Sequence, residues 1–333
     1  MRRFARRMRV RSALLAALLA SSSALVWAQA GRSVGAPILG YVPDGASLRS
    51  VVGIPAAATV AAKLAGADGF AQIAASPAAD FALVSLQETG EVRVYREGVG
   101  LTPIAGAGSG PDLLLLSPKG QAGLLWFSSL SRAQVLTGFP DKATWRFFDA
   151  TYLDRMPTAL AVSDDGQWVA GAWSQGVYAF GPKGEVVRMQ INEPGTAVAF
   201  AKGSHDFVVA TALRLMWVAD PGGRASVNTL LSAQDGLPLN MIAVAGSNQR
   251  ALAISSTGKI TIANLDSTAV TLDCGCQPEG LIPMSTGSYR VSRLQDGMFK
   301  LLDLDQQRVF VVPLRDDQRD ANPTAAAAVG GAQ

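Results

Sequence analysis

From residue 66 onward the chain repeats itself. One unit is plainest over residues 158 to 190, where the strings TALAVS, QWVAGAW, VYAF and EVVRMQ are joined by Asp164-Asp165-Gly166, Ser174-Gln175-Gly176 and Pro182-Lys183-Gly184. These are four short runs rich in Val, Ala, Phe and Trp, separated by three Gly-bearing turns, which reads as four strands in hairpin sequence. The same grammar returns upstream as FAQIAAS, FALVSL and EVRVYR, and downstream as NMIAVAG, RALAISS and KITIANL. With Ser76, Ser117, Ser163, Ala201, Gly246 and Ser285 taken as equivalent, the spacings are 41, 46, 38, 45 and 39 residues. Almost no stretch carries a helical period of apolar residues.

A period of about 40 to 45 residues with four strands per unit predicts an all-β protein, a β-propeller of four-stranded blades. Each blade has apolar faces that it buries against its neighbours around an axis, and the many small residues suit that close packing. Residues 66–313 supply six full units. Residues 36–58 add a leading hairpin, PILGYV and LRSVVG about Pro43-Asp44-Gly45. Seven blades are expected, with the hairpin as half of the seventh; the alternative is a six-bladed ring that the hairpin caps. A β-sandwich would not repeat at this period. The propeller domain is set at 31–314, and residues 315–333, polar and then Ala/Gly-rich, are expected to form a disordered tail.

The charge balance removes one class of partner. The whole chain has 29 Lys and Arg against 26 Asp and Glu. Six of the basic residues, Arg2, Arg3, Arg6, Arg7, Arg9 and Arg11, precede an apolar run at Ala13–Ala20 and the small-residue site Ala28-Gln29-Ala30. That order reads as a secretory signal peptide over residues 1–30. Ser21, Ser22 and Ser23 interrupt the run short of the about 20 apolar residues of a spanning helix, so cleavage is expected over anchoring. The remainder keeps 23 basic against 26 acidic residues, which gives no global excess of cations for a phosphate backbone; no nucleic acid is expected as partner. No later segment reaches transmembrane length, and a periplasmic or extracellular location follows from the export signal.

The repeat resembles the broad class of WD40-like, YVTN-like and quinoprotein-like bacterial propellers. Ser255-Ser256-Thr257-Gly258-Lys259 and Glu88-Thr89-Gly90 look like the turns of quinoprotein blades, although the Asp before Thr-Gly and the Trp after it are missing. The Trp-Asp and Gly-His marks of WD40 blades are absent too. Asp273-Cys274-Gly275-Cys276-Gln277-Pro278-Glu279-Gly280-Leu281, followed by Ser288-Tyr289-Arg290-Val291, is similar to the last blade of uncharacterised secreted bacterial propellers. That resemblance implies a family and no activity.

Chemistry-bearing residues are sparse. Cys274 and Cys276, the only cysteines, form a candidate disulfide on the compartment argument; a reduced pair, metal binding and redox exchange are the alternatives. Two thiolates do not complete a zinc site. His205, the only histidine, is expected in an exposed turn, with a general base as the functional reading. Gly31-Arg32-Ser33-Val34-Gly35 matches G-x-S-x-G without the strand-turn-helix context of a nucleophile elbow. Asp164-Asp165-Gly166 reads as hairpin chemistry, and Asp316-Asp317 as the start of the tail; neither spaces its oxygens as a calcium loop does. Trp126, Trp145, Trp168, Trp173 and Trp217 are expected in blade packing rather than a sugar site.

No catalytic, cofactor-binding or metal-binding residue is therefore assigned, and no cofactor is expected. The favoured function is a non-catalytic binding scaffold whose faces or funnel hold a protein or cell-envelope component. A funnel-site enzyme of lactonase-like or quinone-dependent type is the alternative, and a glycan-binding propeller the third reading.

Overall fold

The computed structural model describes residues 36–236, 240–247 and 249–315. The signal-peptide reading of residues 1–30, the Gly31–Gly35 match and all of the tail except Arg315 fall outside the described residues. Within the unit Ile38–Gln333, the described residues form seven antiparallel sheets packed as blades of a propeller.

Blade 1 holds β1 (Ile38–Asp44), β2 (Ser47–Val52) and β3 (Thr59–Lys63), and blade 2 holds β4 (Phe70–Ala75), β5 (Ala82–Leu86), β6 (Val92–Arg96) and β7 (Gly100–Pro103). Blade 3 follows with β8 (Leu113–Leu116), β9 (Ala122–Phe127), β10 (Arg132–Thr137) and β11 (Thr144–Asp149). Blade 4 is β12 (Ala159–Val162), β13 (Val169–Trp173), β14 (Gly176–Phe180) and β15 (Val186–Arg188). Blade 5 is β16 (Gly195–Phe200), β17 (Phe207–Thr211), β18 (Arg214–Ala219) and β19 (Ser226–Ser232). Blade 6 is β20 (Met241–Ser247), β21 (Arg250–Ser255), β22 (Lys259–Asn264) and β23 (Ala269–Asp273). Blade 7 closes the order with β24 (Ile282–Pro283), β25 (Ser288–Arg290), β26 (Met298–Asp303) and β27 (Arg308–Pro313).

The seven-bladed expectation is met, with one difference. The leading segment is a three-stranded blade, and β3 was not foreseen because TVAAK is half exposed and a short 3-10 turn, Pro55–Ala57, stands where a Gly turn would mark a hairpin.

The core is divided among the blade interfaces. Trp126, Val135 and Leu124 of blade 3 meet Leu160, Val169 and Trp173 of blade 4, and Val177 and Ala172 of blade 4 meet Phe207 and Val209 of blade 5. Between blades 7 and 1, Phe299, Leu301 and Val312 pack on Leu39, Val51 and Val60. The ring also closes through the backbone, where the Arg315 N–H donates to the Val60 carbonyl at 3.1 Å and Leu314 bridges Val60 in parallel.

Buried serines end the inner strands of blades 2, 3 and 4 for a local reason. The hydroxyls of Ser76, Ser117 and Ser163 accept backbone N–H groups of Ala78, Ala122 and Trp168 across the first turn of each blade. This supplies the partner that a tight turn leaves its amides without.

Blade 1 lacks an inner strand among the described residues. In blade 2 the turn between second and third strands lies where inner strands enter the ring, since Gln87 N–H donates to Gly69 O at 2.9 Å, just ahead of β4. The β1–β2 turn lies at that same end, because Ala46 O accepts from Phe70 N–H at 3.0 Å. The strand β1 thus corresponds to the second strand of the other blades, and the axis is ringed by β4, β8, β12, β16, β20 and β24.

Candidate functional site

The inner strands are mainly apolar, from the small residues of β12 to the four leucines of β8, and the axial space they enclose mixes apolar walls with Lys202, Ser247 and Ser288. A cavity of about 140 Å³ lies among blades 3 to 7, against Leu115, Leu160, Val198, Val244, Leu281 and Tyr289. A second, of about 260 Å³, lies on the blade 1 side, walled by Tyr41, Ile73, Ala74, Leu115, Ile282 and Arg290. It adjoins a recess of about 380 Å³ at the entry mouth, and the two share Pro43, Ile73 and Arg290.

The charged group at that mouth is built by the connection from blade 6 to blade 7. The Cys274 N–H donates to Gly258 O at 2.9 Å, and the sulfurs of Cys274 and Cys276 are joined at 2.01 Å. Gly258 has φ +83°, and a Cβ there would lie 2.8 Å from Cys276 O and 2.9 Å from Cys274 Sγ, so glycine alone allows the connection to settle on the turn. The thiol pair is checked by mass spectrometry with alkylation. No label is expected on the native protein without reductant and two after reduction and unfolding; two labels without reductant would refute the bond. Its loop is so short that reduction should change stability little.

Beyond Pro278 the connection presents Glu279. Its N–H donates to Val291 O at 2.9 Å, and its carboxylate takes Arg290 Nη1 at 2.7 Å and Arg293 Nε at 3.6 Å. Arg290 is 4% exposed whereas the Arg293 side chain is 81% exposed. Burial pulls the Arg290 guanidinium below its ordinary range; Glu279 opposes the shift and Arg293 adds to it. Two guanidinium groups on one carboxylate leave this mouth with a net positive charge.

The exit mouth is organised by Asp164 and Asp165. The Asp164 carboxylate accepts Lys119 N–H of blade 3 at 2.6 Å and Gly203 N–H of blade 5 at 2.7 Å, while it sits 7% exposed in blade 4. Hairpin chemistry alone therefore understates this residue, which staples three blades. Asp164→Ala orphans two amides and should destabilise the fold by about 2 to 3 kcal/mol, read as a lower melting temperature; a change under about 0.5 kcal/mol would remove the staple from the account.

His205 lies in an exposed turn as expected, and the fold gives it a partner 40 residues away, with Nε2 2.8 Å from Asp165 Oδ2. Burial opposes ionisation of Asp165, but hydrogen bonds from Ser163, Gln167 N–H and His205 outweigh it and hold the carboxyl below its usual range. The pair lines a recess of about 330 Å³ with Lys119, Gln121 and Ser204.

Trp126, Trp168, Trp173 and Trp217 are buried between blades. Trp145 meets the packing expectation only in part. It is 48% exposed on the outer strand β11, tilted against Phe147 with ring centroids 5.2 Å apart. Its indole still packs over Gly106 at the end of blade 2, where a Cβ would come within 2.2 Å of Nε1, so the expectation holds for one side of the ring while the periphery of the propeller leaves the other in solvent. Among the described residues no group of three His, Cys, Asp or Glu is placed to hold a metal ion, and no helix is long and apolar enough to cross a membrane.

No protein-family model and no curated protein matches the chain. Solved structures do match its fold. A streptogramin B lyase aligns over 83% of this chain and 88% of its own, with TM-score 0.55 and 9% identity. Apo AztD from Citrobacter koseri aligns over 84% and 81%, with TM-score 0.54 and 12% identity. PorZ, a surface component of the type-IX secretion system of Porphyromonas gingivalis, aligns over 74% of this chain and 33% of its own, with TM-score 0.51 and 11% identity. The fold is a seven-bladed β-propeller. Identities this low establish architecture, and the three neighbours differ in kind, so function has to be argued from the site.

Proposed function

We propose that the protein is an exported, non-catalytic binding scaffold that holds a protein or cell-envelope component at the entry mouth of its propeller. The observation that carries this reading is the apolar space beside blade 1, which opens at a mouth bearing Glu279, Arg290 and Arg293. A concave apolar lining with a few convergent polar groups is the usual form of a binding site. The signal-like sequence of residues 1–30 and the last-blade segment Asp273–Leu281 support placement outside the cytoplasm. The surface role in the PorZ description is compatible with it.

The His205–Asp165 pair favours the second reading, a funnel-site enzyme, because a carboxylate-held imidazole can serve as general base. Crosslinking in the native cell envelope followed by mass spectrometry separates the two. The scaffold reading expects a reproducible partner linked to residues around Pro43, Arg293 and Leu294. Absence of any linked partner there, with turnover of a lactone or quinone-dependent substrate that His205→Ala abolishes, would replace it with the enzyme. N-terminal sequencing of the exported protein is expected to begin near Gly31, and an intact Met1 would defeat the export claim.

A further inference from the structure

We propose that an extended peptide segment of a partner protein docks as the seventh inner strand, along the axial edge of β1 that no described strand pairs with, with an acidic residue of the segment at the Arg293 mouth. The inference rests on the scaffold reading and names the ligand of the same site.

The first observation is the pseudo-symmetry of the ring. Six blades put a strand at the axis, and among the described residues blade 1 begins at the equivalent of a second strand, so no described strand pairs with the axial edge of β1. The register then tells which groups that edge carries. Asp44 pairs with Ser47 across a two-residue turn and Val42 pairs with Arg49, which directs their N–H and C=O groups to β2 and turns the Tyr41 N–H and the Tyr41 and Pro43 carbonyls the other way, proline having no N–H. These are the two β1 residues that wall the 260 Å³ cavity. Tyr41 is 5% exposed, no described strand stands on its axial side, and a backbone N–H there calls for a partner from whatever occupies the slot. A strand laid along β1 supplies it, and no compact small ligand satisfies an N–H and successive carbonyls at strand spacing.

The walls define the side chains that fit. Ile73, Ala74 and Ala75 of β4 stand on one side and Leu281, Ile282 and Pro283 on the other. Both faces of the incoming strand therefore meet mainly apolar surface, with Ser117 and Arg290 also in the wall, which asks for small and mostly apolar residues. The chain places such residues at the equivalent position of other blades, as ALAV in β12 and TAVAF in β16. At the mouth two guanidinium groups face one carboxylate, and Arg293 is largely exposed. A strand antiparallel to β1 enters here by its N-terminal end, so a carboxylate at that end complements the charge.

The probe is the synthetic peptide DTAVAV, capped at both ends and titrated calorimetrically into the full exported chain. One-to-one binding is expected, weakened at least tenfold for DTPVPV, which lacks two of the strand N–H groups, and at least fivefold for KTAVAV. Ala74→Phe, which fills the slot, should abolish binding with the melting temperature preserved, and Arg293→Gln should weaken DTAVAV while KTAVAV binds no more weakly than to the wild type. Hydrogen exchange of segment 39–43 should slow at least tenfold on peptide addition. Equal binding of DTPVPV, or none at millimolar peptide, overturns the proposal. So does full protection of the Tyr41 amide in the protein alone, which would mean that the chain itself or a second copy already holds the slot. If the peptides fail while a partner still crosslinks at the entry mouth, the strand proposal falls and the scaffold reading stands; if DTAVAV binds and envelope crosslinking finds no partner, the scaffold reading falls and the slot stands.

Discussion

Trp173→Ala is expected to cost about 3 to 5 kcal/mol of stability, a large-to-small change in a fully packed interface. The indole is 1% exposed. Its ring meets Trp126 at 6.1 Å and Phe180 at 5.8 Å, both edge to face, which is the favoured arrangement for aromatic quadrupoles. Its Nε1 donates to Asp154 O at 3.0 Å, so truncation also leaves that carbonyl without its donor. No side chain nearby can fill the space, since the ring lies over Gly171, where even a Cβ would come within 2.3 Å of it. Urea unfolding of the two proteins measures the difference through the shift in midpoint. A loss below about 1 kcal/mol would mean that blades 3 and 4 are not held by this aromatic cluster.

The second large effect is expected for Glu279→Ala. Arg290 is buried, and its partner is the only carboxylate within ion-pair distance of it among the described residues. Removing that partner leaves a desolvated cation, which costs about 3 to 5 kcal/mol where burial is this complete. The informative control is Glu279→Leu with Arg290→Met. It replaces the pair by apolar side chains of comparable size in an apolar wall, and most of the stability should return. Thermal unfolding of wild type, single and double variants completes the cycle. If the double variant is as unstable as the single one, the segment 273–281 is held by something other than charge pairing. Recovery of stability without recovery of partner capture would assign the pair to recognition.

The ring of blades was legible because its marks are local. A Gly or Asp turn, a run of four to six apolar residues and a period near 40 residues all lie within short stretches, so TALAVS and QWVAGAW announce their hairpin without reference to the rest of the chain. The strand β3 was less legible. TVAAK follows a 3-10 turn and its pattern is split between buried Val60 and exposed Ala62 and Lys63. Cys274 and Cys276 stood out in sequence as a pair, yet Glu279 passed only as part of a resemblance. Glu279 lies in the connection and its partner Arg290 is 11 residues on in β25, and no local pattern links them.

The exit mouth shows the same division. Asp164-Asp165-Gly166 says turn, and it is one, with Gly166 at φ +64°. That Asp164 reaches Lys119 and Gly203, 45 and 39 residues away, depends on the angle at which three blades meet.

By itself the sequence determined the strands, the turns between them and the repeat that stacks them, because backbone propensity and apolar alternation act over a few residues. Only the tertiary structure decided that the described part of the first blade starts at its second strand, that Arg290 is buried at the open mouth and that Asp164 ties three blades. Those facts arise from side chains and strand edges brought together by closure of the ring, and closure joins residues as far apart as Val60 and Arg315.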